Sequence, residues 1–143
     1  MTLPLKDPVA LLRALIDIPS TTWEEGPLCE AVASTLEGAG FAVERQIVSP
    51  GRFNVIARAG DPLVTLSTHL DCVPPYLPLH EDETDIHGRG SCDAKGLAAA
   101  MVAAAEQLAD SDERRIALLF VVGEENGSDG AAAATSLSPK GRF

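Results

Sequence analysis

The hydrophobic pattern at the start of the chain predicts two helices. Asp7–Pro8 is typical of a helix start, because an acidic cap is followed by proline at the first helical position. The apolar pattern VALLRALIDI follows, and Pro19 ends this first helix. A second helix is predicted over Pro27–Glu37, with Gly38 and Gly40 ending it.

After the second helix the pattern predicts strands. FAVERQIV (residues 41–48) alternates apolar and polar positions, which indicates a strand with one exposed face. FNVIARAG (53–60) is a second strand. LVTLST (63–68) and RRIALLFVVG (114–123) are continuous apolar runs, typical of strands that are buried on both faces.

Shorter elements complete the expected fold. DIHGRG (85–90) reads as a short strand after a proline-rich and acidic loop over 74–85. An alanine-rich helix is predicted over 93–110 and a short one over 127–134. This order predicts an α/β fold in which a mixed, largely parallel sheet is flanked by helices. Phe143 is interpreted as the start of a further strand.

Composition narrows the class of protein. With 45% apolar and 22% charged residues in 143, the chain is one small globular domain or part of a larger one. A net charge of −10 argues against nucleic-acid binding, because phosphates would be repelled. Cys29, Cys72 and Cys92 include no CxxC pair, so no disulfide framework is expected. Without a signal peptide or an apolar run of about 20 residues, a cytoplasmic protein that does not enter a membrane is predicted.

Three polar clusters follow predicted strands. His69 and Asp71 follow LVTLST, Asp93 follows DIHGRG, and Glu124 and Glu125 follow IALLFVV. Ligands of open α/β sheets bind outside the carboxyl ends of the strands, so parallel strands would bring the clusters to one edge. Histidine and carboxylates together suit zinc or a similar divalent ion.

The spacing within each cluster indicates which residues could bind metal and which could orient a ligand or transfer protons. His69 and Asp71 point the same way on an extended chain, so Asp71 can accept a hydrogen bond from the ring nitrogen that faces away from a metal. Glu124 and Glu125 would point to opposite sides of a strand end, so one could bind metal and the other could move protons. Taken singly, the same residues also fit solvated strand ends, a helix cap at Asp93 and exposed loop acids.

Other features carry weaker hypotheses. The glycines of segment 88–96 allow a nucleotide-binding loop, but the segment lacks the G-K-[ST] of a phosphate loop. Residues 81–85, His80 and His87 are interpreted as solvated surface, and Cys92 as a small packing residue.

Taken in order, S-x-H-x-D-x-V-P, G-R-G-x-x-D-x-K-G and G-E-E give the chain a family resemblance. It resembles the cocatalytic zinc hydrolases that include acetylornithine deacetylase, succinyl-diaminopimelate desuccinylase, aminoacylase and glutamate-type carboxypeptidases. The resemblance implies two divalent metal ions, zinc in the first place, with cobalt or manganese as alternatives. It implies that His69 and Glu125 each bind one ion and Asp93 bridges both, while Asp71 orients His69 and Glu124 is the general base.

The implied activity is hydrolysis of the amide bond of an N-acyl amino acid, as in an acetylornithine deacetylase. The segments PPY and GSDGA favour that reading. A metallo-carboxypeptidase or dipeptidase acting on a short peptide is the alternative enzyme. A non-catalytic ligand-binding module is the alternative outside catalysis, and Glu124 argues against it because binding alone needs no base.

The family pattern also contains features that this chain lacks. Members carry a further acidic ligand after G-E-E, a second histidine near the C-terminus and an inserted smaller domain that commonly dimerises. Only His69, Asp93 and Glu125 of the expected ligands are present. We therefore interpret residues 1–143 as the N-terminal part of a catalytic metal-binding domain, in truncated form. We expect weak metal binding and little activity from it alone, and a homodimer for the longer form.

Overall fold

The computed structural model describes residues 2–111 and 114–137, and the strand expected at Phe143 lies outside these residues. The helices and strands follow one another along the chain as an α/β arrangement. In chain order they are α1 (Pro8–Ile16), α2 (Gly26–Gly38), β1 (Ala42–Ser49), β2 (Arg52–Ala59), β3 (Val64–His69), β4 (His80–Glu81), β5 (Ile86–His87), α3 (Lys95–Asp110), β6 (Ile116–Val121) and α4 (Asp129–Ala134).

The first helix begins where the sequence predicts. The Asp7 carboxylate accepts hydrogen bonds from the backbone N–H groups of Val9 and Ala10, each at 3.0 Å. These bonds satisfy amide groups that have no partner inside the helix. The second helix extends through Gly38, and Gly40 then adopts a left-handed φ of 92°, a conformation that glycine adopts without strain.

Four strands form the main sheet in the order β1-β2-β6-β3. β1 and β2 are antiparallel, as the tight turn at Pro50–Gly51 requires, and β2 and β6 are also antiparallel. β3 and β6 are parallel. The predicted mixed sheet with flanking helices is therefore confirmed, but among these described strands it is less parallel than the sequence indicates.

One face of the sheet carries the hydrophobic core. Val55 pairs with Phe120 and Ala57 with Leu118, so these four side chains share a face, and all are fully buried. They belong to one apolar cluster with side chains from α1, α2 and α3, among them Leu11, Leu15, Leu28, Leu36 and Val102. This packing fixes β6, the strand that leads to the two adjacent glutamates.

The expected burial of β3 on both faces is wrong. Leu63 just before the strand is 52% exposed, and Val64 at its start is 44% exposed. Among the described strands β3 pairs only with β6, so it is an edge strand and part of its apolar surface is open. β6 lies between β2 and β3 and is buried along most of its length, as the sequence predicts.

The loop after β3 contains a small hairpin that the sequence pattern does not reveal. His80 and Glu81 pair antiparallel with His87 and Ile86. The strand expected over 85–90 is therefore shorter and lies outside the main sheet. Two residues on each side are too few for an alternating pattern to be visible.

The structure also bears on the predictions about the cysteines and about membrane-spanning segments. Cys29, Cys72 and Cys92 are all free thiols, in agreement with the absence of a disulfide framework. Cys92 is exposed, so its interpretation as a packing residue is wrong. Among the described residues, no helix has the length and apolar character that a membrane span requires.

Replacing Leu118 with alanine tests the central position of β6. Leu118 is fully buried against the helices, so the cavity left behind should lower the free energy of unfolding by about 2–5 kcal/mol. Urea denaturation measures this loss. Leu119→Ala is the matched control, because Leu119 is the partly exposed residue of the same strand and should lose clearly less. Equal losses in the two variants would contradict the described packing.

Candidate metal centre

The parallel pair β3 and β6 brings two of the three polar clusters together. His69 is the last residue of β3 and lies opposite Val121, the last residue of β6. Glu124 and Glu125 follow after the two intervening residues Val122 and Gly123. The strand ends therefore meet at one edge of the sheet, as the sequence predicts.

Asp93 reaches the same place by a different route. It lies in the segment before α3 and not at the end of a strand of the main sheet, and the peptide bond that follows it is cis. Its Oδ1 atom lies 3.0 Å from His69 Nε2. The alternative that Asp93 caps α3 is wrong, because the cap position is Ala94 and no side chain caps the helix.

A buried lysine holds the segment that carries Asp93. Lys95 is 1% exposed, and its Nζ donates hydrogen bonds to the backbone oxygens of Leu15 and Ile18 at 2.9 and 2.7 Å. Burial lowers the pKa of Lys95. These bonds tie the start of α3 to the end of α1, so the lysine of the glycine-rich motif anchors the segment that carries Asp93.

The three candidate ligands converge. One ligand atom each from His69, Asp93 and Glu125 lies within 4.8 Å of the other two. Imidazole and carboxylate donors at this spacing fit a divalent transition-metal ion. Glu124 stands beside this set, with Oε2 3.8 Å from His69 Nε2 and a side chain that is 51% exposed.

A second group of donors, Asp82, Asp85 and His87, also lies within such a spacing. All three are exposed, and Asp82 Oδ1 accepts hydrogen bonds from the backbone N–H groups of Thr84 and Asp85 at 2.9 Å. A surface turn therefore accounts for this cluster. The group around the buried His69 is the stronger candidate for a metal centre.

The carboxylate of Asp71 connects the parts of the centre. It is fully buried and accepts hydrogen bonds from the backbone N–H groups of Glu124 and Glu125, both at 3.0 Å, and from Thr22 Oγ1 at 2.9 Å. Its Oδ1 atom also lies 3.3 Å from His69 Nδ1. The two glutamates therefore lie in a turn held by Asp71, and not on an extended strand end as the sequence suggests.

The protonation of His69 follows from its neighbours. Nδ1 faces the backbone oxygen of Asp71 at 3.0 Å and its carboxylate, while Nε2 faces Asp93. All these oxygens only accept hydrogen bonds, so a doubly protonated ring is favoured without metal. The hydrogen bond with the Asp71 carboxylate, helped by Asp93 and opposed by burial, raises the pKa of His69 to about 9. A cation would replace the proton on Nε2, while Nδ1–H would stay with Asp71.

The neighbouring carboxylates shift in opposite directions. Burial alone would raise the pKa of Asp71, but the bonds from His69, the backbone N–H groups and Thr22 lower it below the usual value. Burial, then the nearby charge of Asp93, raises the pKa of Glu125. A bound cation would relieve the repulsion that Glu125 experiences.

The loop after α1 supports this edge through a pairing that no sequence pattern predicts. Cys72 N donates to Ser20 O at 2.9 Å, Thr22 N donates to Cys72 O at 3.1 Å, and Ser20 Oγ donates to Leu70 O at 2.8 Å. The segment after Pro19 therefore runs beside residues 70–72. The sequence offers no local sign of this pairing beyond the polar residues that follow the helix.

The fold is an α/β domain with a candidate metal site at the edge of its sheet. The family model described as "Peptidase family M20/M25/M40" matches residues 65–142, which is more than half of the chain. The chain belongs to this peptidase family.

Two fungal relatives illustrate the similarity. A probable carboxypeptidase of Aspergillus clavatus is 41% identical over 135 residues, which covers 82% of this chain and 32% of the relative. A probable carboxypeptidase of Emericella nidulans is 41% identical over 147 residues, covering 92% and 35%. The chain thus spans about a third of the length of these relatives.

Solved structures share the fold at low identity. A tripeptidase of Staphylococcus aureus has a TM-score of 0.77 and 22% identity, covering 96% of this chain and 42% of that one. Human carnosine dipeptidase 1 has a TM-score of 0.73 and 21% identity, covering 88% and 34%. A Bacillus subtilis protein described as a dinuclear metal binding peptidase has a TM-score of 0.61 and 18% identity, covering 90% and 38%.

Replacing Asp71 with asparagine should lower the pKa of His69 from about 9 towards 6.5, because the charged partner is lost. Since the raised pKa stabilises the folded metal-free chain below pH 6.5, that contribution is lost as pH rises through 9. In the wild type it is roughly 1–3 kcal/mol, and it should shrink in the variant. NMR titration of the His69 ring and urea denaturation at low and high pH measure both effects.

Asp82→Asn is the control for this substitution, because it removes the carboxylate beside the exposed His87. It should leave the titration of His69 unchanged. A His69 titration that is the same in Asp71→Asn and the wild type would show that the Asp71 carboxylate does not govern the ring.

Proposed function

We propose that this chain supplies part of the dinuclear metal centre of a peptidase that cleaves amide bonds of short peptides. The observation that carries the proposal is the convergence of donor atoms from His69, Asp93 and Glu125 within 4.8 Å. Membership of the peptidase family and the names of the fungal relatives support it.

Two divalent ions suit the arrangement of the donors. Asp93 offers two carboxylate oxygens, and its Oδ1 lies 3.0 Å from His69 Nε2, so we propose that Asp93 would be shared by both ions. His69 Nε2 would bind one ion and Glu125 the other. The description of the Bacillus subtilis protein as dinuclear supports this assignment. Zinc is the first choice, and cobalt and manganese accept the same donors.

The chain's own residues would then move the protons. Bound divalent ions would lower the pKa of water and polarise the carbonyl group of the substrate. Glu124 is beside the ligand set but outside it, and its half-exposed carboxylate is free to accept the proton of the attacking water. Glu124 then returns that proton to the leaving nitrogen. The amide bond breaks, the new C–O bond forms, and a carboxylate and an amine are released.

The choice of substrate divides the enzyme hypotheses. The fungal relatives favour a carboxypeptidase, and the human structural neighbour is named a dipeptidase. Cleavage of an N-acyl amino acid, as in acetylornithine deacetylase, stays a prediction from the sequence motifs. Because the chain spans about a third of its relatives, the remaining ligands, the smaller domain and the homodimer are proposed for the longer protein.

Replacing Glu124 with glutamine tests the assigned base. In a protein of the relatives' length that carries this chain, the substitution should lower kcat/KM about 100- to 10,000-fold, because the amide cannot accept the proton. Peptide and N-acyl amino acid panels measure the activity, and elemental analysis measures the metal. The metal content should remain.

Glu83→Gln is the control, since it removes one exposed glutamate from the loop before β5. It should retain wild-type activity. Activity that survives Glu124→Gln would contradict the role of Glu124, and loss of metal together with activity would assign Glu124 to the ligands.

Residues 1–143 alone should bind zinc weakly, because each proposed ion would have fewer protein ligands than catalytic zinc usually has. His69→Ala should weaken binding further, by about tenfold or more, since one ligand and its anchoring are lost. Isothermal titration calorimetry measures the change. His87→Ala is the matched control at the exposed cluster and should leave the affinity unchanged. The reverse ranking would place the metal at the surface cluster.

A further inference from the structure

We propose that Glu25, Arg52 and Asp129 form a positioning network that fixes the turn carrying Glu124 and Glu125. None of the three is in the proposed ligand set, although Asp129 belongs to the GSDGA segment of the sequence. Their effect on the turn is independent of metal. Their effect on metal affinity rests on the proposed function.

One side of the network holds the start of the turn. Arg52 donates to the Glu25 carboxylate through Nε at 2.8 Å and through Nη2 at 2.9 Å. Glu25 Oε1, which accepts the bond from Arg52 Nη2, also accepts the backbone N–H of Gly123 at 3.1 Å. Glu25 is fully buried and Arg52 is 4% exposed, so water does not compete effectively for these bonds. The residue before Glu124 is therefore tied to a buried ion pair.

The other side holds the end of the turn. Arg52 Nη1 donates to Asp129 Oδ2 at 2.6 Å, and Nη2 lies 3.3 Å from Oδ1. Asp129 is the first residue of α4, and its Oδ1 accepts the N–H of Gly130 at 2.9 Å. A single guanidinium thus links both ends of the segment between Gly123 and Asp129.

The network packs directly against the backbone of the turn. Gly123 has a left-handed φ of 70°, and a Cβ atom at this position would collide with Asp129 Oδ1 and would lie 2.7 Å from Arg52 Nη2. Only glycine combines this conformation with so close an approach. A shift of the guanidinium would therefore be transmitted to the residue next to Glu124.

The energetics favour a positioning role over simple stabilisation. A buried ion pair offsets its desolvation cost only when its geometry is good, and apolar residues of similar volume are often as stabilising. What the charged group adds here is direction, because a planar guanidinium fixes two carboxylates in one plane. The ring of Trp23 covers it, with Arg52 Cζ 4.4 Å from the ring centre.

Arg52→Lys tests the network while keeping the positive charge. An ammonium group cannot hold both carboxylates in a fork, so the turn should loosen. NMR hydrogen exchange in the metal-free chain should show the amides of Gly123, Glu124 and Glu125 exchanging about tenfold faster or more. Asp129→Asn removes the charged partner of Arg52 at the end of the turn and should also speed up exchange of these amides. This variant replaces Arg52→Lys as the test if Arg52→Lys does not fold.

The matched control is Arg45→Lys. Arg45 also joins two carboxylates, those of Glu30 and Glu37, but on the surface of β1 and α2. It should leave exchange in the turn unchanged even if it lowers the melting temperature. Unchanged exchange at Gly123, Glu124 and Glu125 in both Arg52→Lys and Asp129→Asn would overturn the proposal.

Cobalt provides the second readout. Titration of Co²⁺ should show about tenfold weaker binding or more and an altered visible spectrum in Arg52→Lys, but neither change in Arg45→Lys. Faster exchange with unchanged cobalt affinity and spectrum would mean a merely structural network and would overturn the positioning role at the metal centre. A wild-type chain that binds no cobalt would count against the proposed function, while the exchange data would still decide whether the network fixes the turn.

Discussion

The candidate centre depends on the buried carboxylate of Asp71. A buried charge is costly unless it is fully hydrogen-bonded, and this one faces Thr22, the His69 ring and two backbone N–H groups. Those groups come from the loop after α1, the end of β3 and the turn after β6. The hydrogen bonds that offset the cost of burying this charge therefore also hold these three segments next to one another.

Two further buried charges extend this principle. Arg52 links the turn after β6 to Glu25 and Asp129, and Lys95 ties the segment of Asp93 to the end of α1. Among the described residues, no buried side-chain nitrogen or oxygen lacks a hydrogen-bond partner. Each segment that carries a candidate ligand thus rests on a satisfied polar anchor, while Asp93 is exposed and Glu125 partly exposed beside the buried His69.

The sequence predicts what is local. Asp7 reveals a helix start because its partners are two and three residues away, and His69 is found because it follows a continuous apolar run. The exposure of β3 and the position of Asp93 beside His69 depend on which elements pack against each other. The pattern of apolar and polar residues does not encode those tertiary contacts. Glu25 looks like a loop acid in the sequence, yet its partners are Arg52 and Gly123, far along the chain.

Anomalous diffraction at the zinc edge, from crystals of this chain soaked in Zn²⁺, tests the central claim most directly. We predict a zinc peak about 2.0–2.1 Å from His69 Nε2 and within bonding distance of Asp93, with His69 Nδ1 still facing Asp71. A second peak should lie within bonding distance of Asp93 and Glu125. Zinc bound only at Asp82, Asp85 and His87, or bound to His69 through Nδ1, would contradict the central claim.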